Sequence, residues 1–280
     1  MSAAKKKILT VSNLTMKFGG ITAIDGLSMS VNQGSITSII GPNGAGKTTL
    51  FNCLTGFYKP TSGSVVMHHP ENGDMQLECM STHKVASHAN VMRTFQNIRL
   101  FPKMTVMENL IVAQHNRLFQ ASGFSIAGLL KLPRYTRAER EAVDHAWSLL
   151  RRFSLTSFAD TPAGALSYGV QRRVEIARAM CARPMLLCLD EPAAGLNPKE
   201  SLALNDLLLS LSHDDKVSVL LVEHDMSVVM NVSDEIYVIS YGKKIAVGSP
   251  NQIQNDPHVI AAYLGEPEVE DVQLEMESGQ

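Results

Sequence analysis

The stretch Gly41-Pro-Asn-Gly-Ala-Gly-Lys-Thr48 constrains this chain more than any other. It fits G-x-x-x-x-G-K-[ST] and lies between a strand-like run, Ser35-Ile-Thr-Ser-Ile-Ile40, and a helix-like run from Lys47 to Leu54. Strand, glycine loop and helix in that order make a phosphate cradle, a P-loop. The glycines permit a tight backbone, so the N–H groups of Asn43, Gly44, Ala45, Gly46, Lys47, Thr48 and Thr49 can turn inward where the helix dipole favours an anion. Lys47 can then meet the β- and γ-phosphates of a nucleotide, and Thr48 can ligate Mg²⁺.

The remaining pattern gives that loop a setting. Short strand-like runs fill residues 8–40, broken at Gly19-Gly20, Gly26 and Asn32-Gln-Gly34, and Val65-Val66 suggests one more. Residues 104–183 read as helical: Met104 to Gln120, an interruption at Ser122 to Gly128, Arg137 to Phe153, and Gln171 to Ala182. Strand and helix then alternate: Met185 to Leu189, Lys199 to Ser212, Val217 to Val222, Met226 to Asn231, and a hairpin of Ile236 to Ile239 with Lys244 to Val247 across Tyr241-Gly242. Such alternation implies a mainly parallel sheet interrupted by a helical insertion.

A second element of the chemistry is expected at the end of another apolar strand. Met185-Leu-Leu-Cys-Leu-Asp190 supplies it, making Asp190 the candidate metal-holding carboxylate. Glu191 follows directly. In an extended segment consecutive side chains point to opposite sides, so Asp190 can serve Mg²⁺ while Glu191 orients or deprotonates the attacking water. Without the P-loop, an Asp-Glu pair after an apolar run would read as a helix cap.

Composition excludes several classes. Of 280 residues 45 % are hydrophobic and 19 % charged, a globular balance. The formal net charge of −2 gives no global field for nucleic acid. No run approaches the roughly 20 apolar residues that span a bilayer. The start, Met1-Ser-Ala-Ala-Lys-Lys-Lys7, is not expected to be a signal peptide, because no apolar core follows its basic cluster. Cys53, Cys79, Cys181 and Cys188 form no C-x-x-C pair and read as reduced thiols. Seven acidic residues and no Lys or Arg follow Lys244, so residues 266–280 read as a solvated tail.

These motifs together resemble the ATP-binding cassette (ABC) ATPases, over nearly the whole chain. Leu166-Ser-Tyr-Gly-Val-Gln171 looks like that family's L-S-G-G-Q signature. Ser167 and Gly169 fit it, Tyr168 stands for the first glycine, and Val170 stands for the glutamine. By resemblance, Gln96 in Arg93-Thr-Phe-Gln-Asn97 is the Q-loop glutamine that senses Mg²⁺ and the γ-phosphate. His224 in Val222-Glu-His-Asp225 is the switch histidine, Phe18 in Lys17-Phe-Gly-Gly20 stacks on adenine, and Ala194-Gly-Leu-Asn197 is the D-loop. The implied fold is α/β: a RecA-like P-loop NTPase sheet with an N-terminal antiparallel β subdomain and an inserted helical subdomain at about 97–183. All of it forms one ATPase domain over residues 1–265.

The resemblance also implies a mechanism and partners. Two cassettes, identical or different, close head to tail over ATP, each capping the other's nucleotide with Ser167 and Gly169, and hydrolysis by Glu191 reopens them. Two separate permease subunits receive the work, docking near Asn97 to Asn109 at the cytoplasmic face of the membrane. Phe51-Asn-Cys-Leu-Thr-Gly-Phe-Tyr-Lys-Pro-Thr61, Arg93 to Phe101, Glu191-Pro-Ala-Ala-Gly-Leu-Asn-Pro198 and Pro257-His-Val-Ile-Ala-Ala-Tyr-Leu-Gly265 narrow the likeness to high-affinity branched-chain amino acid importers, which work with a periplasmic solute-binding protein. Urea or short-amide importers, lipid or lipopolysaccharide exporters and non-transport cassettes share much of this pattern. Two other signals have plainer readings. His68, His69, Cys79, His83 and His88 lack standard zinc spacing and read as a surface insertion. Lys131, Arg134, Arg137, Arg140, Arg151 and Arg152, interleaved with acids, read as a solvated helix face.

Overall fold

The computed structural model describes residues 6–115 and 133–264. Among these residues ten strands form two sheets. The first is antiparallel, in the order β2-β1-β4-β5, and joins β1 (Lys7–Phe18), β2 (Ile21–Asn32), β4 (Ser62–His69) and β5 (Gly73–Gln76). The second runs β10-β9-β3-β8-β7-β6, through β3 (Ile36–Ile40), β6 (Val91–Arg93), β7 (Leu186–Asp190), β8 (Ser218–Val222), β9 (Glu235–Ser240) and β10 (Lys243–Gly248). All its pairings are parallel except the β9–β10 hairpin.

Strands β3, β7 and β8 are buried along their whole length, as expected of parallel strands covered on both faces. The period-two alternation divides their side chains between two cores. Leu186, Cys188, Leu220, Val222 and Ile39 face a core shared with the antiparallel sheet and with Leu50, Phe51 and Leu54 of α1 (Lys47–Leu54). Leu187, Leu189, Val219 and Leu221 face the opposite core. That core is closed by α3 (Val106–Val112), α4 (Pro133–Arg152), α5 (Tyr168–Met180) and α6 (Pro198–His213). A small third cluster packs α7 (Met226–Val232), α8 (Pro250–Gln254) and α9 (Pro257–Leu264) around β9.

Local chemistry sets the helix starts. Thr105 and Glu108 form a capping box on α3, and Asn197 and Glu200 form another on α6, where Pro198 occupies the first turn. On α4, Ala142, Ala146, Leu149 and Leu150 are buried at helical spacing, while Arg137 is exposed and pairs with Glu141 at 3.0 Å. Arg152 leaves that solvated face to bond Asp215 at 3.0 Å and the Ser210 carbonyl at 3.1 Å, tying α4 to the end of α6. Lys131 and the Arg134 side chain lie outside what is described.

Several expectations are altered in detail. Residues 8–11 and 16–18 belong to one strand, because Asn13 adopts a left-handed φ of 48° and the pairing shifts between Val11 and Leu14 instead of ending. The polar stretch 68–90 holds β5 and the short α2 (Thr82–Ser87), which lack the apolar periodicity that reveals longer elements. His69 there is a turn acceptor, its Nδ1 taking the N–H groups of Glu71 and Asn72 at 3.1 and 3.0 Å. The helix expected over 104–120 begins at Val106 and ends at Val112, and residues 116–120, the interruption at 122–128 and the acidic tail lie outside the described residues.

Gly41 joins β3 to the P-loop with φ +151°, and a Cβ there would overlap the Ile239 carbonyl oxygen of β9. Gly44, also left-handed at φ +79°, faces open space. Gly41→Ala is therefore expected to destabilise the fold by about 2–4 kcal/mol, and Gly44→Ala by about 1–2 kcal/mol, in urea unfolding.

Candidate active site

The parallel ladder brings three strand ends together: Ile39 and Asp190 both pair with Val222. The P-loop leaves β3, the Asp190-Glu191 pair ends β7, and Glu223-His224 follows β8. Helix α1 starts at Lys47 after Gly46, which provides no side-chain cap, so its first N–H groups remain for an anion. Asn43, Gly44 and Thr48 are exposed, Gly46 and Thr49 half-buried, and Ala45 and Lys47 buried. The Lys47 ammonium donates to the carbonyls of Gly41 at 2.6 Å and Pro42 at 3.0 Å. Burial lowers its pKa, partly offset by the negative charge of Glu191.

Asp190 continues the β7 alternation onto the α1 side. Glu191 does not continue the extended course expected from the sequence. It takes a left-handed φ of 45°, held by its N–H donating to the Val222 carbonyl at 2.8 Å. That turn, rather than strand alternation, separates the two acids. The Glu191 carboxylate accepts from Gln96 Nε2 at 2.8 Å and lies 3.7 Å from Nδ1 of His224. Gln96 and His224 thus both approach the Glu191 carboxylate.

Other expected residues stand around this group. Phe18, 43 % exposed, meets Tyr58 edge-on at 5.4 Å, leaving ring surface open beside the loop that follows α1. Ser167 is the N-cap residue of α5, yet its hydroxyl makes no cap bond. A Cβ on buried Gly169 would meet the Glu200 carboxylate, so a larger residue there would have to push that side chain aside. In the signature segment, Gly169 faces Glu200 of α6 and Tyr168 faces Gly195.

Three further residues escaped the sequence reading. Arg93 donates to Asp190 at 2.9 Å, Asn52 at 2.5 Å and Thr55 at 3.2 Å, with the rings of Phe51, Phe57 and Phe95 about its guanidinium at 4.6–5.1 Å. Burial raises the Asp190 pKa, and Arg93 opposes that rise. Glu223, fully buried, accepts from the N–H groups of Ala193 at 2.8 Å and His224 at 3.2 Å, joining the segment just before Ala194 to the one that follows β8, and burial raises its pKa too. Arg172 is wholly buried and donates to the Phe95 and Gln96 carbonyls at 2.9 and 2.7 Å. A charge interrupting each apolar run, at Arg93 and Glu223, was the available signal; Arg172 beside Arg173 gave none.

A family model described as ABC transporter matches residues 24–194, well over half of the chain. The chain belongs to the ABC transporter family. A second model, described as branched-chain amino acid ATP-binding cassette transporter, matches residues 243–269 of this ABC protein. Among relatives, the high-affinity branched-chain amino acid transport ATP-binding protein BraF of Pseudomonas aeruginosa is 52 % identical, over 93 % of this chain and 99 % of its own. The crystal structure of the ADP conformation of an ATP-binding cassette of an ABC transporter is 34 % identical, with a TM-score of 0.78 over 94 % of this chain and 100 % of that one. A dimeric post-hydrolysis cassette bound to ADP and Pi is 25 % identical, with a TM-score of 0.68 over 86 % and 98 % of the two chains. The chain is thus an ABC ATPase with the P-loop NTPase fold anticipated from its motifs, and it binds nucleotide. Among the described residues no helix is long and apolar enough to cross a membrane.

Removing one partner of a buried ion pair strands the other. Arg93→Met is expected to cost about 3–5 kcal/mol in urea unfolding, and the double variant Arg93→Met/Asp190→Asn markedly less than the single change.

Proposed function

We propose that this chain is the ATP-hydrolysing motor of a membrane importer for branched-chain amino acids. The observation that carries the motor reading is the convergence of Gln96 and His224 on Glu191, at the strand end beside Asp190 and the P-loop. The substrate reading rests on BraF and on the match over residues 243–269. Relatives with that role support the same role here, in one cassette over 1–265 with its helical part at about 97–183.

In this reading, ATP lies with adenine on Phe18 and its phosphates on the N–H groups of Asn43 to Thr49, and Lys47 turns from its carbonyls to the β- and γ-phosphates. Glu191, oriented by the amide of Gln96, takes the proton of the attacking water, and His224 bonds the γ-phosphate. Mg²⁺ fits the donors present. Thr48 offers a hydroxyl and Asp190 a carboxylate, while the Gln96 oxygen stays available because its nitrogen serves Glu191; such a hard, sparse set suits a cation that takes its other oxygens from phosphates and water. When bound, it would neutralise charge between the phosphates.

Closure needs a second cassette, identical or different, whose Ser167 hydroxyl and Gly169 amide cap the nucleotide. The unspent hydroxyl of Ser167 and the dimeric cassette of similar fold support this. Release of the γ-phosphate then opens the pair, and two permease subunits docked near Asn97 to Asn109 at the cytoplasmic membrane face transmit the motion. A periplasmic solute-binding protein delivers the amino acid.

Glu191→Gln is expected to keep ATP binding, lower hydrolysis about 10²-fold or more and lengthen the life of the ATP-bound dimer. Lys47→Ala is expected to weaken nucleotide binding itself, as calorimetry would show. In cells carrying Lys47→Ala, uptake of radiolabelled leucine, isoleucine and valine should fall while urea uptake persists, with recovery on restoring the natural gene. Equal survival of all four would reject the substrate assignment.

A further inference from the structure

Residue 168, where the usual signature has glycine, carries a tyrosine whose ring and hydroxyl are both engaged. The ring lies along Gly195 of the D-loop, where a Cβ would come 3.3 Å from Tyr168 Cε1. The hydroxyl accepts from Arg172 Nη2 at 3.0 Å, with the guanidinium 5.6 Å from the ring centroid. Arg172 is fully buried, and the same Nη2 donates to the Gln96 carbonyl at 2.7 Å. Its Nη1 donates to the Phe95 carbonyl at 2.9 Å and to Glu175 at 2.8 Å. Glu175 in turn accepts the Arg99 N–H at 3.1 Å, just beyond the Q-loop glutamine.

We infer that Tyr168 is a positioning residue that sets the Q-loop through Arg172, and so sets Gln96 against Glu191. A guanidinium is planar, and its donors leave in fixed directions. Two of those directions end on consecutive Q-loop carbonyls, so the tilt of Arg172 dictates where Gln96 begins. Glu175 fixes one edge of the guanidinium, and the Tyr168 hydroxyl fixes the other. Nε finds no partner that could replace either. From Gln96 the path has one more bond, the 2.8 Å contact of its amide with Glu191. A side chain in the signature segment, which in the proposed dimer faces the partner's nucleotide, is thereby joined to the carboxylate of its own chain. Glycine at this position could not make that connection. The inference rests on the proposed roles of Gln96 and Glu191, but its first test needs neither nucleotide nor turnover.

Tyr168→Phe keeps the ring against Gly195 and removes only the hydroxyl, so the fold is retained. In the nucleotide-free full chain, amide hydrogen exchange over residues 94–99 is expected to rise about three- to tenfold, the effect of one net hydrogen bond, while exchange in β8 stays unchanged. Steady-state ATPase should then show kcat lowered by a similar factor with the KM for ATP unaltered. In a Gln96→Ala background, Tyr168→Phe should lower kcat no further. Natural exchange at 94–99 in Tyr168→Phe would overturn the inference. So would a rise in KM at constant kcat, or full additivity with Gln96→Ala. If every variant lacked ATPase activity, the exchange data would still decide this proposal, and only the functional reading would fall.

Discussion

The parallel hydrogen-bond ladder joining β3, β8 and β7 is the constraint on which the rest of this molecule hangs. Its register pairs both Ile39 and Asp190 with Val222, so the three strands end together. The P-loop, the acidic pair and the Glu223-His224 segment each begin where one of them stops. Because successive residues of a strand face opposite ways, a slip of one residue would exchange the two hydrophobic cores and carry Asp190 away from α1. Burial of alternate residues in two separate cores makes that slip prohibitive. The relative placement of the three strand ends is therefore secured by apolar packing in the two cores.

Buried charge does the finer placement. Asp190, Glu175 and Glu223 all have their pKa raised by burial, a sign that water has been taken from each without full recompense. Each is bonded to a group in a neighbouring segment: Asp190 to Arg93 at the end of β6, Glu175 to Arg172 and Arg99, Glu223 to Ala193 after β7 and His224 after β8. Such pairs add little net stability, yet breaking one leaves an exposed cost, so each segment has little freedom to drift from its partner. The left-handed Glu191 belongs to the same scheme, its backbone strain balanced by one bond to the end of β8.

The two departures in the signature have different physical characters. Val170 is half-buried against the helical core, so an apolar residue suits the place it occupies. The neighbouring Gln171 turns its amide back to the Leu166 carbonyl at 2.8 Å, bracing the start of α5. Tyr168 lays its ring along Gly195 and bonds Arg172 one turn along its own helix. Ser167 and Gly169, beside these departures, keep the residue types of the family signature.

The amino-acid order by itself determined the P-loop, the apolar strands that end in Asp190 and precede His224, and the alternation that makes the sheet parallel. These follow from local rules of side-chain spacing, turn chemistry and period. It also marked Glu191 by its place after Asp190, and Gln96 and His224 through likeness to a family, without showing that they meet. Short or polar elements such as β5 and α2 stayed hidden because they carry no periodic apolar signal. Only the tertiary structure decided that Arg172 rather than Arg173 is wholly buried, that Arg93 holds Asp190, that Glu223 braces two loops, and that Glu191 leaves its strand in a left-handed turn. Each of those facts depends on a partner 30 to 100 positions away or on a backbone angle imposed by one, and no local pattern of residues encodes a meeting that packing alone arranges.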